Sequence, residues 1–559
     1  MEDYITIELG SSFLLNAGIL GLLKMLYHGN AKQGSDYIID NQVLKLSKDY
    51  ILDHDFADIY IKALVDQYKK DTKFFRILSK QSYLEHLQSK VTKDKDDIDK
   101  IINIYKELTA MLEKNSFVAG YEILYGKDIK KPLTLTLVQE FKKEKEEEEK
   151  YQKYINLCAI LSQPEVEEVL VMKELMYSKI NLFFENTSFF LPANLKKDIK
   201  ECYYKDFVQP LIKEITSEKQ GKKRCIECSC LAEETRSISF MIDTTDDTAR
   251  KKSHYWNQKV DAFVCPICAF LYTLVPLGFQ FCGSDAVFIN DNSNIPNMEM
   301  IMSSYKSKLM SNNMDEEDSI EKQKASAKSK LYRIFTSDGI EMVMERSSNL
   351  QVIVRLQDKK SYEMNIISKD TIAGFQRCVK YLRNLEGKFV LQDNKFISVY
   401  DEVMDNLLSK RKQYPLIHKL IMRELKGNTS TNYIRNILMI QLKFKGGDSM
   451  EQLIKYTNVA FSVGKAMREE LTKGVQMKDK DNHLRGLVYK LSNALSVKDR
   501  AQFLDTIIRA YSGKGVPIPA IFKECYQSDD LLEAIGNGFI LGLKYVKYEG
   551  NDKEGDNNE

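Results

Sequence analysis

The sequence predicts an α+β protein: a mixed N-terminal domain with an inserted cysteine-rich module and an antiparallel β region, followed by a C-terminal helical bundle. Three observations carry this prediction. Helical periodicity dominates residues 1–220, six of the ten cysteines crowd between Cys225 and Cys282, and after an alternating stretch near 350–366 the chain returns to helical spacing. With 559 residues, 43% hydrophobic and 29% charged, the chain is several domains long and of ordinary globular composition.

The first part opens as strand, turn and helix. Tyr4–Leu9 alternates, Gly10, Ser11 and Ser12 supply a turn and a cap, and an apolar stretch runs from Phe13 to Tyr27. Asn16 and Lys24 interrupt that stretch and no basic region precedes it. Neither a secretory signal nor a membrane span is therefore expected, and the protein is placed in the cytoplasm. Phe141–Lys153 reads as a solvated helix whose Lys and Glu pair at helical spacing.

The cysteine-rich module occupies residues 221–283, and residues 284–393 read as the β-rich part of the N-terminal domain. Leu350, Val352, Val354 and Leu356 point one way, and Tyr362, Met364 and Ile366 repeat the alternation after Asp358, Lys359 and Lys360, as an antiparallel hairpin with one buried face would. Residues 302–330, rich in Ser, Asn and Lys, read as a polar linker or exposed loop. A helical bundle is expected over 394–549 and a disordered acidic tail over 550–559. In the bundle, Phe503, Leu504, Ile507, Ile508 and Tyr511 fall on one helical stripe. Ser496 with Asp499 suggests a capping box, and Gly513, Gly515, Pro517 and Pro519 stop the helix. No fixed-period repeat is present.

Charge singles out the bundle. Residues 410–514 hold 21 Lys or Arg against 9 Asp or Glu, a local net charge of +12 within a chain whose formal total is +2. Such a half is a footprint for a polyanion, because each cation placed near a phosphate releases a condensed counterion. A merely solvated basic surface is the alternative from charge alone.

Two Cys-x-x-Cys pairs, Cys225 with Cys228 and Cys265 with Cys268, give the strongest local signal. One such turn presents two sulfurs to a single ion, and two turns complete the tetrahedral sulfur shell that zinc prefers. The 36 residues between the pairs exceed the spacing of compact zinc ribbons, so the module carries an insertion. Cys230, Cys282 and His254 lie near enough to replace a ligand, and a redox dithiol is the rival role for one pair. Four thiolates leave no open coordination position, which makes the expected zinc structural. Lys222, Lys223 and Arg224 flank the first pair, and Arg250, Lys251 and Lys252 precede His254, Tyr255 and Trp256. Cations beside aromatics suit phosphate contact and base stacking, or simply a solvated loop.

Catalytic motifs are absent from this reading. No G-x-x-x-x-G-K-[ST] loop occurs, and Ser512–Gly515 lacks the length and the hydroxyl such a loop needs. His54-Asp55 has the form of a metal-dependent phosphohydrolase pair, which needs several further ligands, and only six histidines are scattered along the chain. Gly446-Gly447-Asp448 reads as an interhelical turn.

Three segments together resemble the large subunit of type I-B CRISPR interference complexes (Cascade), the branch with a zinc-finger-like cysteine cluster. They are Ile5–Leu9 followed by Leu15-Asn16-Ala17-Gly18-Ile19-Leu20-Gly21, where small residues permit close helix packing; Cys225–Cys228 with Phe263–Cys268 and Pro276–Phe279; and Ile508–Tyr511 leading into Gly515–Pro519. The resemblance implies a subunit without a catalytic site. Its partners would be CRISPR RNA, target double-stranded DNA and the displaced single strand, the backbone and other Cascade subunits, and the CRISPR helicase-nuclease. Guide RNA would read the target by pairing while protein reads a short adjacent duplex motif.

Within that picture the amide-rich loop of Asn290, Asn292, Asn294 and Asn297, with Gln280 nearby, is the candidate for reading the adjacent motif, although Asn clusters also simply make turns. Lys443, Lys445, Arg485 and Arg500 are the candidates for contacts to the displaced strand. The rivals from other classes are a divergent zinc-finger nuclease or nucleic-acid-modifying enzyme, and a stand-alone zinc-finger regulator.

Overall fold

The computed structural model describes residues 3–545 apart from 91, 127, 129, 185–196, 218–220, 243–262, 283–284, 315–348, 357–360, 393–394, 426–431 and 477–478. Mixed helix and antiparallel sheet form two compact units, one of residues 1–307 and 350–364 and one of residues 308–349 and 365–559. The expected α+β architecture is found.

In the first unit, Tyr4–Glu8 pairs antiparallel with Val43–Ser47, which also pairs with Tyr37–Asp40, in a three-stranded sheet. Ser12 then caps the Phe13–His28 helix by accepting the Leu15 N–H on its hydroxyl. An apolar sequence on every side predicts burial on every side, and residues 15–23, Met25 and Leu26 are all buried. This helix is the centre of the unit.

Its nearest neighbours come from far along the chain. A side chain at Gly18 would meet the Leu271 carbonyl oxygen at 2.3 Å, one at Gly21 the Leu274 carbonyl oxygen at 2.2 Å, and one at Gly278 the Ala17 carbonyl oxygen at 2.0 Å. Backbone therefore lies directly on backbone, which is what small residues in a helix face allow.

The charged stretch 141–153 is two helices, Leu135–Lys143 and Glu147–Leu161. Glu144 breaks it: its carboxylate accepts the N–H groups of Lys145 and Glu146 and pairs with Lys153. Three Glu in the first turn of the second helix suit its positive end.

A four-stranded sheet runs in the order Ser361–Ser368, Asn349–Leu356, Asp285–Asn290, Gln280–Cys282. Val352 faces Ile289 and Val354 faces Val287 in antiparallel register. The expected burial pattern needs two corrections. On the second strand Ile353 and Arg355 are buried along with Leu350, Val352 and Val354, so both faces are covered. On Ser361–Ser368, Met364 and Ile366 are 47% and 64% exposed while Ile367 is buried. An edge strand with apolar residues adjacent at 366 and 367 can turn either set inward, and alternation alone does not choose.

The proposed linker at 302–330 is also corrected over its first part. A helix, Ile295–Met314, runs through it, and Ile295, Met298, Ile301, Met302 and Tyr305 form its buried stripe. Ser, Asn and Lys are frequent among the other positions, which disguised the stripe. Residues 315–330 of that segment, and the tail at 550–559, lie outside the described residues.

The second unit begins before residue 394. The Lys369–Arg383 helix and the Phe389–Gln392/Lys395–Ser398 hairpin belong to it together with the bundle helices that follow. Its tightest packing joins Asp448–Leu471 to Asp529–Leu543, where a side chain at Gly464 would meet the Phe539 carbonyl oxygen at 2.3 Å and one at Gly542 the Phe461 carbonyl oxygen at 2.2 Å.

Gly446 and Gly447, at φ +69° and +95°, make the turn into Asp448–Leu471. At Arg500–Ser512 the cap is Asp499 itself, accepting the Gln502 N–H, while Ser496 ends the preceding helix. The left-handed Lys498, at φ +55°, separates the two helices and rules out a capping box that spans them. Phe503, Leu504, Ile507 and Tyr511 are buried as the stripe predicts, and Ile508 is exposed. No helix among the described residues is long and apolar enough to cross a membrane.

Candidate metal centre

The first cysteine pair sits at the tip of a small hairpin. Lys223–Arg224 pairs with Leu231–Ala232, and the reversal between them is closed by the Cys225 N–H donating to the Cys230 carbonyl at 2.9 Å and the Ser229 N–H to the Cys225 carbonyl at 3.1 Å. Ser229 takes the left-handed conformation, φ +60°, that a reversal this tight demands. The exposed Arg224 guanidinium fixes the turn from outside by donating to the Ser229 carbonyl.

The second pair sits at a strand-to-helix junction. Phe263–Val264 pairs with Arg236–Ser237, Cys265 caps the Pro266–Thr273 helix, and Cys268 lies in its first turn. Pro266 stands at the first helical position, where its missing N–H costs nothing. The Ile226 N–H donates to the Phe263 carbonyl at 2.9 Å and holds the hairpin against the junction.

These two local structures bring the sulfurs of Cys225, Cys228, Cys265 and Cys268 within 4.8 Å of one another. The Cys228 and Cys265 sulfurs are 3.7 Å apart. Zinc–sulfur bonds of about 2.3 Å in a tetrahedron place sulfurs about 3.8 Å apart, whereas a disulfide needs about 2.05 Å. The spacing thus fits a shared ion, and the donor set fits a metal such as zinc. Cys225, Cys265 and Cys268 are buried and Cys228 is exposed.

Mutual hydrogen bonding divides the thiols. Bonds from Cys228, Cys265 and Cys268 hold Cys225 far below the ordinary thiol range, and bonds to their cysteine neighbours push Cys228 and Cys268 far above it. Four thiols in one small volume cannot all ionise without a cation among them.

Of the alternative ligands, Cys230 is exposed and stands outside the four-sulfur cluster; its carbonyl closes the turn and its thiol lies against that of Cys228. His254 and the Cys282 side chain lie outside the described residues.

Sequence reasoning missed the contacts that seat the centre. The Tyr272 hydroxyl donates to the Glu227 carboxylate at 2.6 Å, and the Ser12 hydroxyl lies 3.5 Å from the same phenol. Burial and the adjacent carboxylate push the Tyr272 hydroxyl well above its usual range, so it stays a donor. The available signal was spacing, since Tyr272 falls one turn beyond Cys268 on the same helix face.

The candidate nucleic-acid contacts are dispersed. Lys222, Lys223 and Arg224 are exposed on the hairpin, with Lys223 over the Phe263 ring at 4.5 Å. Arg250, Lys251 and Lys252 lie outside the described residues.

The amide loop is largely committed to the fold, which corrects its reading as a free recognition loop. Asn290 is buried, and its side-chain amide donates to Asn292 and Gln351 while its carbonyl oxygen accepts from Asn16. Gln280 is buried at 7% exposure. The Asn294 side chain accepts the Asn297 N–H at a helix start, and Asn292, though exposed, accepts from Asn16. Buried amides ordinarily satisfy their polar atoms internally; Asn290 does so by tying the Phe13–His28 helix to the sheet, whereas the Gln280 Oε1 has no hydrogen-bond partner among the described residues.

In the bundle Lys445 and Arg485 are exposed, and Lys443 is half-buried over the Tyr381 ring at 5.1 Å. Arg500 is tied to Asp529 at 2.6 Å, so part of its charge is already spent.

Residues 221–280, 60 of the chain's 559, match the family model described as CRISPR-associated protein (Cas_CXXC_CXXC). The matched segment contains both cysteine pairs and supports a CRISPR-associated role. No curated protein and no solved structure matches the chain.

Proposed function

We propose that this protein is the non-catalytic large subunit of a type I-B CRISPR RNA-guided surveillance complex. The observation that carries the reading is the match at residues 221–280 to a CRISPR-associated family, over a module whose two Cys-x-x-Cys turns converge on one point. The segments that resemble the large subunit lie on both sides of that module. The first of them, Leu15–Gly21, packs directly against the helix and turn that follow the second cysteine pair.

In this role Cys225, Cys228, Cys265 and Cys268 hold a zinc ion that supplies a structural cross-link and no reactive position. The exposed Lys222, Lys223 and Arg224 beside it are placed for phosphates of the guide 5′ end or of the adjacent duplex. The bundle, with its net charge of +12 over residues 410–514, holds the displaced strand and helps recruit the helicase-nuclease. Recognition of the adjacent motif falls to side chains at the surface. Asn292 remains eligible, whereas Asn290 and Gln280 are buried.

Isolation of the chain from its host tests the reading. Guide RNA and a repeated backbone subunit should accompany it, and the pure chain should bind DNA or RNA without turnover in the presence of divalent metals. Metal-dependent cleavage by the chain alone, abolished by an internal substitution, would assign it to the rival class of zinc-finger nucleases.

A further inference from the structure

The second unit contains a cavity of about 600 Å³ that none of the sequence motifs explains. Its rim is cationic: Arg377, Lys410, Arg411, Lys412 and Lys445 line it, against the carboxylates of Asp370 and Asp530. These cations are not equivalent. Lys412 is bound to Asp530 at 2.8 Å and Glu533 at 3.0 Å, and Arg377 is occupied by the carbonyls of Lys443 and Phe444 at the end of the Asn432–Lys443 helix. The side chains of Lys410, Arg411 and Lys445 have no hydrogen-bond or ion-pair partner among the described residues.

The interior differs from the rim. Ala373, Leu407, Leu442, Phe444, Met450 and Leu453 supply an apolar wall, and Ser368, Thr371, Tyr414 and Gln441 add polar groups. A cavity with one apolar wall, several neutral polar groups and three uncommitted cations at its edge matches a ligand with a flat ring that carries polar edges at one end and an anionic group at the other. Ordinary ion-pair networks leave no such void, and a flat basic surface would have no floor.

We propose that this cavity is a nucleotide-binding pocket. The base lies against Phe444 and Met450, and its phosphate is held by Lys410, Arg411 and Lys445. The volume admits one or two nucleotides rather than a duplex. The pocket deepens the proposed function by giving the bundle's binding of single-stranded nucleic acid a fixed point. A nucleoside monophosphate free in solution and a nucleotide within a strand share this chemistry.

The test uses the full chain, a fluorescein-labelled oligothymidylate, thymidine monophosphate as competitor, and an oligonucleotide containing photoreactive 5-iodouracil. Cross-links should fall on Phe444, Met450 or their neighbours. Arg411→Glu with Lys445→Glu should weaken oligonucleotide binding about tenfold and reduce its salt dependence. Ala373→Phe, which fills the cavity without changing charge, should weaken binding at unchanged salt slope. Full competition by the monophosphate identifies a free nucleotide as the ligand, and its failure to compete identifies a strand; either supports the pocket when the cross-links lie there.

Cross-links confined to other surfaces, or wild-type affinity in both Ala373→Phe and the double reversal, would overturn the proposal. Because cross-linking is read on the unaltered protein, a variant that misfolds leaves the test intact. Failure here would leave copurification with guide RNA unaffected, and absence of guide RNA would leave the cross-links unaffected, so the two readings fall separately.

Discussion

The Tyr272 hydroxyl donates to the Glu227 carboxylate across 2.6 Å, joining the helix of the second cysteine pair to the turn of the first outside the sulfur cluster. Partners of this kind orient ligands and slow their release. Tyr272→Phe is expected to retain metal but to lose it to a competing chelator about tenfold faster. Equal release rates would remove any role for this bond in holding the two turns together.

Replacing Cys265 and Cys268 by Ser should abolish binding of about one equivalent of metal and open the module to protease near residues 221–280. Elemental analysis of the purified protein, before and after exchange into chelator, makes the measurement. A folded wild-type protein that never carries metal would refute the assignment of the four thiols to an ion.

The contact between Gly18 and Leu271 is unforgiving because the neighbour is a carbonyl oxygen and not a side-chain end. Gly18→Val should destabilise the first unit by about 3 kcal/mol or more, as overpacking against backbone does. Gly486 offers the opposite case. It is exposed within a helix and nothing lies within 4 Å of an added side chain, so Gly486→Ala should stabilise by roughly 0.5 to 1 kcal/mol. Urea midpoints of the two variants should move in opposite directions.

For nucleic acid, Lys445→Glu and Arg485→Glu should each weaken binding and reduce the slope of affinity against salt by about one. Arg500→Glu should behave differently. It places a carboxylate opposite Asp529 and should lower stability as well as affinity. Unchanged salt slopes for Lys445 and Arg485 would remove the bundle from the interface.

Burial raises Glu424 to about 7 even though Lys544 stands 3.1 Å from its Oε1, and its Oε2 has no partner among the described residues. A carboxyl whose folded value exceeds its unfolded one holds its proton more tightly when folded. Stability should therefore fall between about pH 4.5 and pH 7 and level off above, by on the order of 2 kcal/mol from this group. Glu424→Gln should flatten that part of the profile in denaturant titrations at pH 5 and pH 8. A wild-type slope in the variant would shift the effect to other groups.

The parts legible in the sequence were those set by local spacing. The capped helix after Ser12, the Gly446–Gly447 turn and the cysteine pairs each depend on a few adjacent residues, and each stands where the pattern put it. Long-range partners were not legible. Asn290 looked like a free amide because nothing in its neighbourhood names Asn16, 274 residues away, as its partner. Met302–Met314 looked like a linker because a sparse apolar stripe was outweighed by Ser, Asn and Lys on the other faces. Arg377, Lys410 and Arg411 carry no motif, and only folding brings them beside Lys445.

The close seat of the Phe13–His28 helix has a consequence for synthesis. Its partners at Leu271, Leu274 and Gly278 leave the ribosome long after it does, so at ordinary elongation rates the apolar helix waits roughly 10 to 50 seconds for the surface that covers it. Throughout that interval it is a target for chaperones and a hazard for self-association. Slower translation upstream of residue 278 lengthens the exposure, and the yield of soluble chain should track that delay.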